Sequence, residues 1–265
     1  MKNKLFSAAL RYALPLVFWL FVWQAGAQLV EEFVVKPGSD GSYFLPTPIE
    51  TLKELILIIG AKGFLKTVLM TLYRVVIGLF VGCALGFALG ILSYKSKVIY
   101  SLFAPWISVV KATPVASIII LLWILPMSGN GLCILIALLM VLPIIWQNVF
   151  DGLSAVNPEL HELSLSYEFS FMKKIRILYL PTLSDFLIPA LITATGLAFK
   201  SEIAAEIIAG VRISIGEMIY SSKDSLNTPA VFAWTAVGIF FSIIFEKLTK
   251  FLLSFIKKKR GGAKV

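Results

Sequence analysis

Six stretches of this chain are apolar for long enough to cross a bilayer, and no other property restricts its fold so strongly. A crossing helix needs about 20 apolar residues, and the runs fall at about 12–30, 67–93, 98–125, 132–150, 186–210 and 231–255. Hydrophobic residues make up 58% of the chain and charged ones 15%, against about 25% charged in soluble domains. A water-soluble globule of 265 residues cannot hide that much apolar surface, because its own surface must stay polar. The chain therefore reads as all-α and polytopic, with about six spans. The first run follows Lys2, Lys4 and Arg11 and has no small-residue cleavage site after it, so it reads as a retained helix rather than a signal peptide.

The organisation expected from this pattern is an N-terminal span with an external amphipathic segment over 1–62, followed by a transmembrane core over 63–265. In the first part KPGSDGS at 36–42 marks a turn and 51–59 a short surface helix. The run at 98–125 should bend near Lys111 and Pro114, and PMSGNG at 126–131 should form a tight turn. Basic residues set the orientation. With a cytoplasmic N-terminus, that face receives Lys2, Lys4, Arg11, Lys95, Lys97, Lys173, Lys174, Arg176 and the cluster at 257–260. The opposite face receives Lys36, Lys53, Lys62, Lys66, Arg212 and Lys223. Both termini are expected inside, and the net charge of +9 is a topology signal rather than a nucleic-acid footprint.

Several functions fall away. One histidine, His161, and two cysteines within apolar runs, Cys83 and Cys133, supply neither a metal cluster nor a disulfide framework. An intramembrane enzyme would need a nucleophile and base or a metal, which a single loop histidine does not provide. No G-x-x-x-x-G-K-[ST] string occurs; the nearest, GLAFKS at 196–201, lacks the second glycine. The chain is not expected to bind ATP or hydrolyse it, or to carry a cofactor of its own.

Within the apolar runs a few residues stand out. Gly78, Gly82, Gly86 and Gly90 recur every four residues, which in a helix makes a stripe where another backbone can approach closely. Glu202 and Glu206 share a helix face, with Lys200 about 240° round from Glu206. Ionisable groups facing lipid are costly, so these three are candidates for a pathway or a gate, Lys200 pairing with Glu202 or Glu206 of a second copy, and equally for a structural lock. Lys111 is a further pathway candidate, although snorkelling to the headgroups suits it better. Arg74 reads as an interfacial anchor. The six tryptophans fall mostly toward span ends, where indole rings favour the interface.

The polar interlude at about 151–185 is patterned. Asn157 and Pro158 suit a helix start, and Leu160, Leu163, Ser164 and Tyr167 recur at helical spacing. A second set, Phe171, Ile175, Leu178 and Tyr179, follows a hinge at 168–170, and Pro181 closes it. Two short helices along the membrane face are expected.

This loop resembles the cytoplasmic signature of the membrane-spanning permease subunits of binding-protein-dependent ABC importers, in which E-A-A is followed after three residues by G and later by L-P. Glu162 takes the glutamate position, Leu163 and Ser164 the alanines, and Leu180 and Pro181 the closing pair. Glu168 stands where glycine is usual, which leaves the sharpness of the turn open. The stretches at 111–125, 141–160, 205–210 and 214–220 resemble the nitrate/sulfonate/taurine/bicarbonate branch of that family. The resemblance implies an all-helical fold of the MetI-like kind working as a pair of copies in a bacterial plasma membrane, with an ATP-binding-cassette ATPase on the cytoplasmic side and an external solute-binding protein. It also implies that Glu162, Leu163, Ser164, Tyr167, Glu168 and Phe169 belong to the helix that couples to the ATPase. An ion-driven secondary transporter, with Lys200 and Glu206 as a relay, is the competing class; it needs no coupling helix and usually shows inverted repeats.

Overall fold

The computed structural model describes residues 2–33 and 44–261, with side chains over 13–33 and 44–254; the KPGSDGS segment lies outside the described residues. The described residues form a helical bundle in which the elements are α1 (Lys2–Phe33), α2 (Pro48–Gly60), α3 (Phe64–Lys95), α4 (Lys97–Ala112), α5 (Val115–Trp123), α6 (Gly129–Ser154), α7 (Pro158–Ser166), α8 (Phe171–Lys174), α9 (Leu180–Ala209), α10 (Ile215–Asp224) and α11 (Thr228–Gly261). A single π turn, Ile175–Tyr179, joins α8 to α9. Among the described residues five helices are long and apolar enough to cross a membrane. Helices α4 and α5, which meet at 104°, are together apolar and long enough to count as a sixth if the bent pair is taken as one broken span.

Bundle polarity follows from the glycine stripe. A Cβ added at Gly78 would lie 2.5 Å from the Cβ of Ala137, one at Gly82 2.9 Å from that of Val141, one at Gly86 2.9 Å from that of Ile145 and one at Gly90 2.7 Å from that of Val149. Residue numbers rise together along both helices, so α3 and α6 run parallel. The segment between them must recross the bundle, which α4 and α5 do: Tyr100 stacks on Trp146 and Phe150 near the end of α6, whereas Ile119 packs with Leu132 and Ile136 near its start. Helix α9 returns antiparallel to α6, with Leu183 against Gly152 at one end and Ala205 near Cys133 and Ile136 at the other. The core runs along this α3–α6–α9 sandwich, through Val75, Ala137, Val141, Ile145, Val149, Ala190, Ala194 and Ala198.

Three local expectations are corrected. PMSGNG is a turn only as far as Ser128, whose Oγ accepts the Gly131 amide at 3.1 Å and caps α6, so Gly129 to Gly131 are already helical. Pro181 does not close a second surface helix. It sits in the first turn of α9, where its missing N–H is tolerated, and the preceding π turn, closed by the Leu180 amide on the Ile175 carbonyl, keeps the chain helical from Phe171 onward. Trp146 is no interface residue: it is 2% exposed and donates its indole N–H to Ser93 Oγ at 2.9 Å. Trp234 is likewise buried.

Candidate functional site: a capped loop helix and a buried ion pair

The side of the bundle that carries α7 also carries the end of α3, the start of α4 and the start of α9. Asn157 Oδ1 accepts the Glu159 amide at 2.8 Å and opens α7, with Pro158 in the first turn. The helix ends in a complete Schellman turn: the Phe169 amide donates to the Ser164 carbonyl at 2.9 Å, the Glu168 amide to the Leu165 carbonyl at 2.9 Å, and Glu168 takes φ 48°. The turn is thus as sharp as glycine would make it, with a glutamate held in the left-handed region. The ammonium of Lys173 lies 3.8 Å from the centre of the Phe169 ring. Tyr179 Oη meets His161 Nδ1 at 3.4 Å, tying α7 to the head of α9.

Of the six loop residues singled out, Glu162, Leu163, Tyr167 and Glu168 are exposed and Phe169 is half-buried. Ser164 is buried and donates to the His161 carbonyl at 2.6 Å. An apolar set, Leu160, Leu163, Leu165 and Tyr167, is therefore presented away from the bundle.

At the opposite side lies a buried charged centre. Arg74 is 1% exposed and is an interior residue, not an interfacial anchor. Its Nη1 donates to Glu206 Oε1 at 2.8 Å, its Nε donates to Asn130 Oδ1 at 2.8 Å, and its terminal nitrogens reach the carbonyls of Arg212 at 3.3 Å and Ile213 at 3.4 Å. Glu206 also accepts from Thr71 Oγ1 at 2.8 Å and the Gly216 amide at 3.1 Å. Thr71 Oγ1 in turn accepts the Ile215 amide at 3.0 Å. Gly216 is needed because any Cβ there would collide with that of Glu206. One ion pair thus ties α3, α6, α9 and the loop before α10. Asn130 also lines a cavity of about 410 Å³ with Trp123, Met127, Ser128, Val211 and Arg212.

Glu202 and Glu206 are both 0% exposed and face the bundle together, while Lys200 is exposed on the other side of α9. Within the chain the partner of Glu206 is Arg74, not Lys200. Lys111 is exposed in the last turn of α4, next to the bend. The sequence did hold a signal for Arg74: it lies four residues before Gly78 and continues the buried stripe by one turn. Thr71 and Asn130 carried no such mark.

Over 220 residues the chain is 28% identical to the putative aliphatic sulfonates transport permease protein SsuC of Bacillus subtilis (strain 168), covering 81% of this chain and 76% of that protein. A solved amino acid ABC transporter with histidines shares the fold at a TM-score of 0.59 and 18% identity, over 80% of this chain and 97% of that one. Residues 75–259 match the family model for the inner membrane component of binding-protein-dependent transport systems. The chain belongs to that family and is the membrane-spanning permease subunit of an ABC importer.

Proposed function

We propose that two copies of this chain form the pathway of an importer for a small organic sulfonate, that α7 couples it to the ATPase, and that α7 faces the cytoplasm of a bacterial cell. The observation that carries the coupling role is the exposed apolar set on α7, mounted on a capped turn and pinned to α9 through His161 and Tyr179. A helix that transmits force needs such a rigid seat, and the apolar set suits a groove on an ATPase. Lys95, Lys97, Lys173, Lys174 and Arg176 lie on the α7 side, which supports the cytoplasmic assignment. The solute class rests on the aliphatic sulfonates named for the Bacillus subtilis relative; the external binding protein would make the first selection. ATP binding would close the ATPase dimer, draw the two α7 helices together and shift the pathway between its two access states.

The test is purification from the native cell in mild detergent, followed by uptake of labelled alkanesulfonates in liposomes holding permease, ATPase and binding protein. Glu162→Lys combined with Tyr167→Ala should leave the permease inserted and folded but strip away the ATPase and abolish ATP-driven uptake. Retention of the ATPase by this variant would refute the coupling assignment. Uptake of other solutes but no sulfonate would refute the solute class alone.

A further inference from the structure

Two carboxyl groups on α9 face one guanidinium. Glu206 is fully supplied with donors, whereas Glu202, one turn away, has no nitrogen or hydroxyl donor on either carboxyl oxygen among the described residues and only the weak thiol donor of Cys133 beside it, although the side chain is 0% exposed. The titratable groups facing Glu202 are Glu206 on its own helix, Arg74 from α3 and Cys133 from α6. Arg74 is the one cation with a buried side chain among the described residues. A thiol is a weak donor, so the buried Glu202 carboxyl keeps most of its desolvation cost, and a guanidinium brought against it would offset that cost.

The hydrogen bonds around Arg74 divide unequally. Besides Arg74, Glu206 accepts from the Thr71 hydroxyl and the Gly216 amide. The bonds of Arg74 to the Arg212 and Ile213 carbonyls are long, at 3.3–3.4 Å. Those carbonyls belong to a loop where Ile213 is held at φ 55°, a left-handed conformation that a β-branched residue adopts only under constraint. Arg74 therefore restrains a strained segment beside the cavity. Glu202 and Glu206 are separated by ~6 Å of helix rise, a span that a flexible arginine side chain covers while the glycine stripe keeps α3 seated on α6.

We propose that Arg74 is a two-station latch: it pairs with Glu206 and holds the 211–213 loop in this conformation, and in the alternate conformation of the cycle it pairs with Glu202 and lets that loop go. The latch rests on the importer reading, because it needs a cycle with two states that differ in their contacts. Its effect is to join the switch to the opening of the cavity wall formed by Val211 and Arg212.

The experiment uses the complete complex in liposomes and compares the parent chain with Glu202→Gln, each also carrying Arg212→Cys for labelling by a membrane-impermeant maleimide. Chains without that cysteine give the background from Cys83 and Cys133. In the parent, trapping with ATP and vanadate should raise labelling at position 212 at least fivefold. Glu202→Gln should match or exceed the parent in melting temperature, because a neutral amide of the same shape removes a buried ionisable group from beside Glu206, yet lose uptake at least tenfold and show no nucleotide-dependent change in labelling. A role in packing alone would instead lower the melting temperature and leave the labelling change in place. Uptake by Glu202→Gln within twofold of the parent, or labelling indifferent to nucleotide in the parent, overturns the latch. Absence of ATP-driven uptake in the parent itself overturns the importer reading and the latch with it.

Discussion

Replacing Glu168 with glycine should tighten the end of α7. The left-handed backbone at φ 48° costs an L-residue about 1–2 kcal/mol, and glycine escapes that cost while losing about 0.5–1 kcal/mol through its greater freedom in the open state. The net gain is about 0.5–1 kcal/mol for the closed turn, or about 2- to 5-fold in the opening equilibrium at 1.4 kcal/mol per decade. The amides that report on it are those of Glu168 and Phe169, which close the turn on Leu165 and Ser164. Hydrogen–deuterium exchange at these amides should slow by that factor in Glu168→Gly, with the amides of α6 unchanged. Glu168→Ala controls for the lost charge: it keeps the Cβ and should gain nothing. Equal protection in the glycine and alanine variants would show that the backbone conformation costs nothing there, and faster exchange in Glu168→Gly would refute the reasoning outright.

Removing Arg74 as Arg74→Gln strands a buried carboxylate and should cost about 3–5 kcal/mol, read as a lower melting temperature in detergent; adding Glu206→Gln should recover part of the loss, since the two side chains act as a pair. Gly86→Ala would set a Cβ 2.8 Å from the Leu142 carbonyl and 3.2 Å from the Trp146 nitrogen, and these backbone atoms cannot yield. Overpacking of about 1–3 kcal/mol should outweigh a helix-propensity gain of about 1 kcal/mol, whereas Gly60→Ala, with nothing within 4 Å, should not destabilise in the same melts. Ser93→Ala should cost about 1–3 kcal/mol by leaving the buried Trp146 indole N–H without its acceptor, and Ser93→Thr should restore part of it.

Apolar run length and glycine spacing are local properties, and they place the spans and the stripe because a helix converts periodicity in sequence into a face in space. Charge pairing is not local. Arg74 and Glu206 are 132 residues apart, and only the folding of α9 back beside α3 brings them together. An arginine near the end of an apolar run looks like an anchor until its register with Gly78 is followed. The same holds for Trp146, whose partner Ser93 is 53 residues distant. The end of α7 was open for another reason: left-handed backbone is normally announced by glycine, and here the Schellman hydrogen bonds impose it on a glutamate. Pro181 misleads because proline marks a helix start as readily as a helix stop, and the π turn before it removes the break.

The helices that flank α7 are also those that reach the latch. By a rise of 1.5 Å per residue the 26 residues of α6 span about 39 Å, with Gly152 beside the α7 end and Asn130 on Arg74 at the other. Along that length α3, α6 and α9 are joined by small residues that leave no room to slide, Ala190, Ala194 and Ala198 being at most 4% exposed. Close packing of this kind transmits displacement rather than absorbing it. By the coupling proposed for α7, a push there would move the three helices as one body, and the segments outside that body are the bent α4–α5 pair and the strained loop at 211–213. With the proposed latch the two states would need no flexible span, because a side chain that changes partner at the end of a rigid body can release a loop that the body itself does not contain.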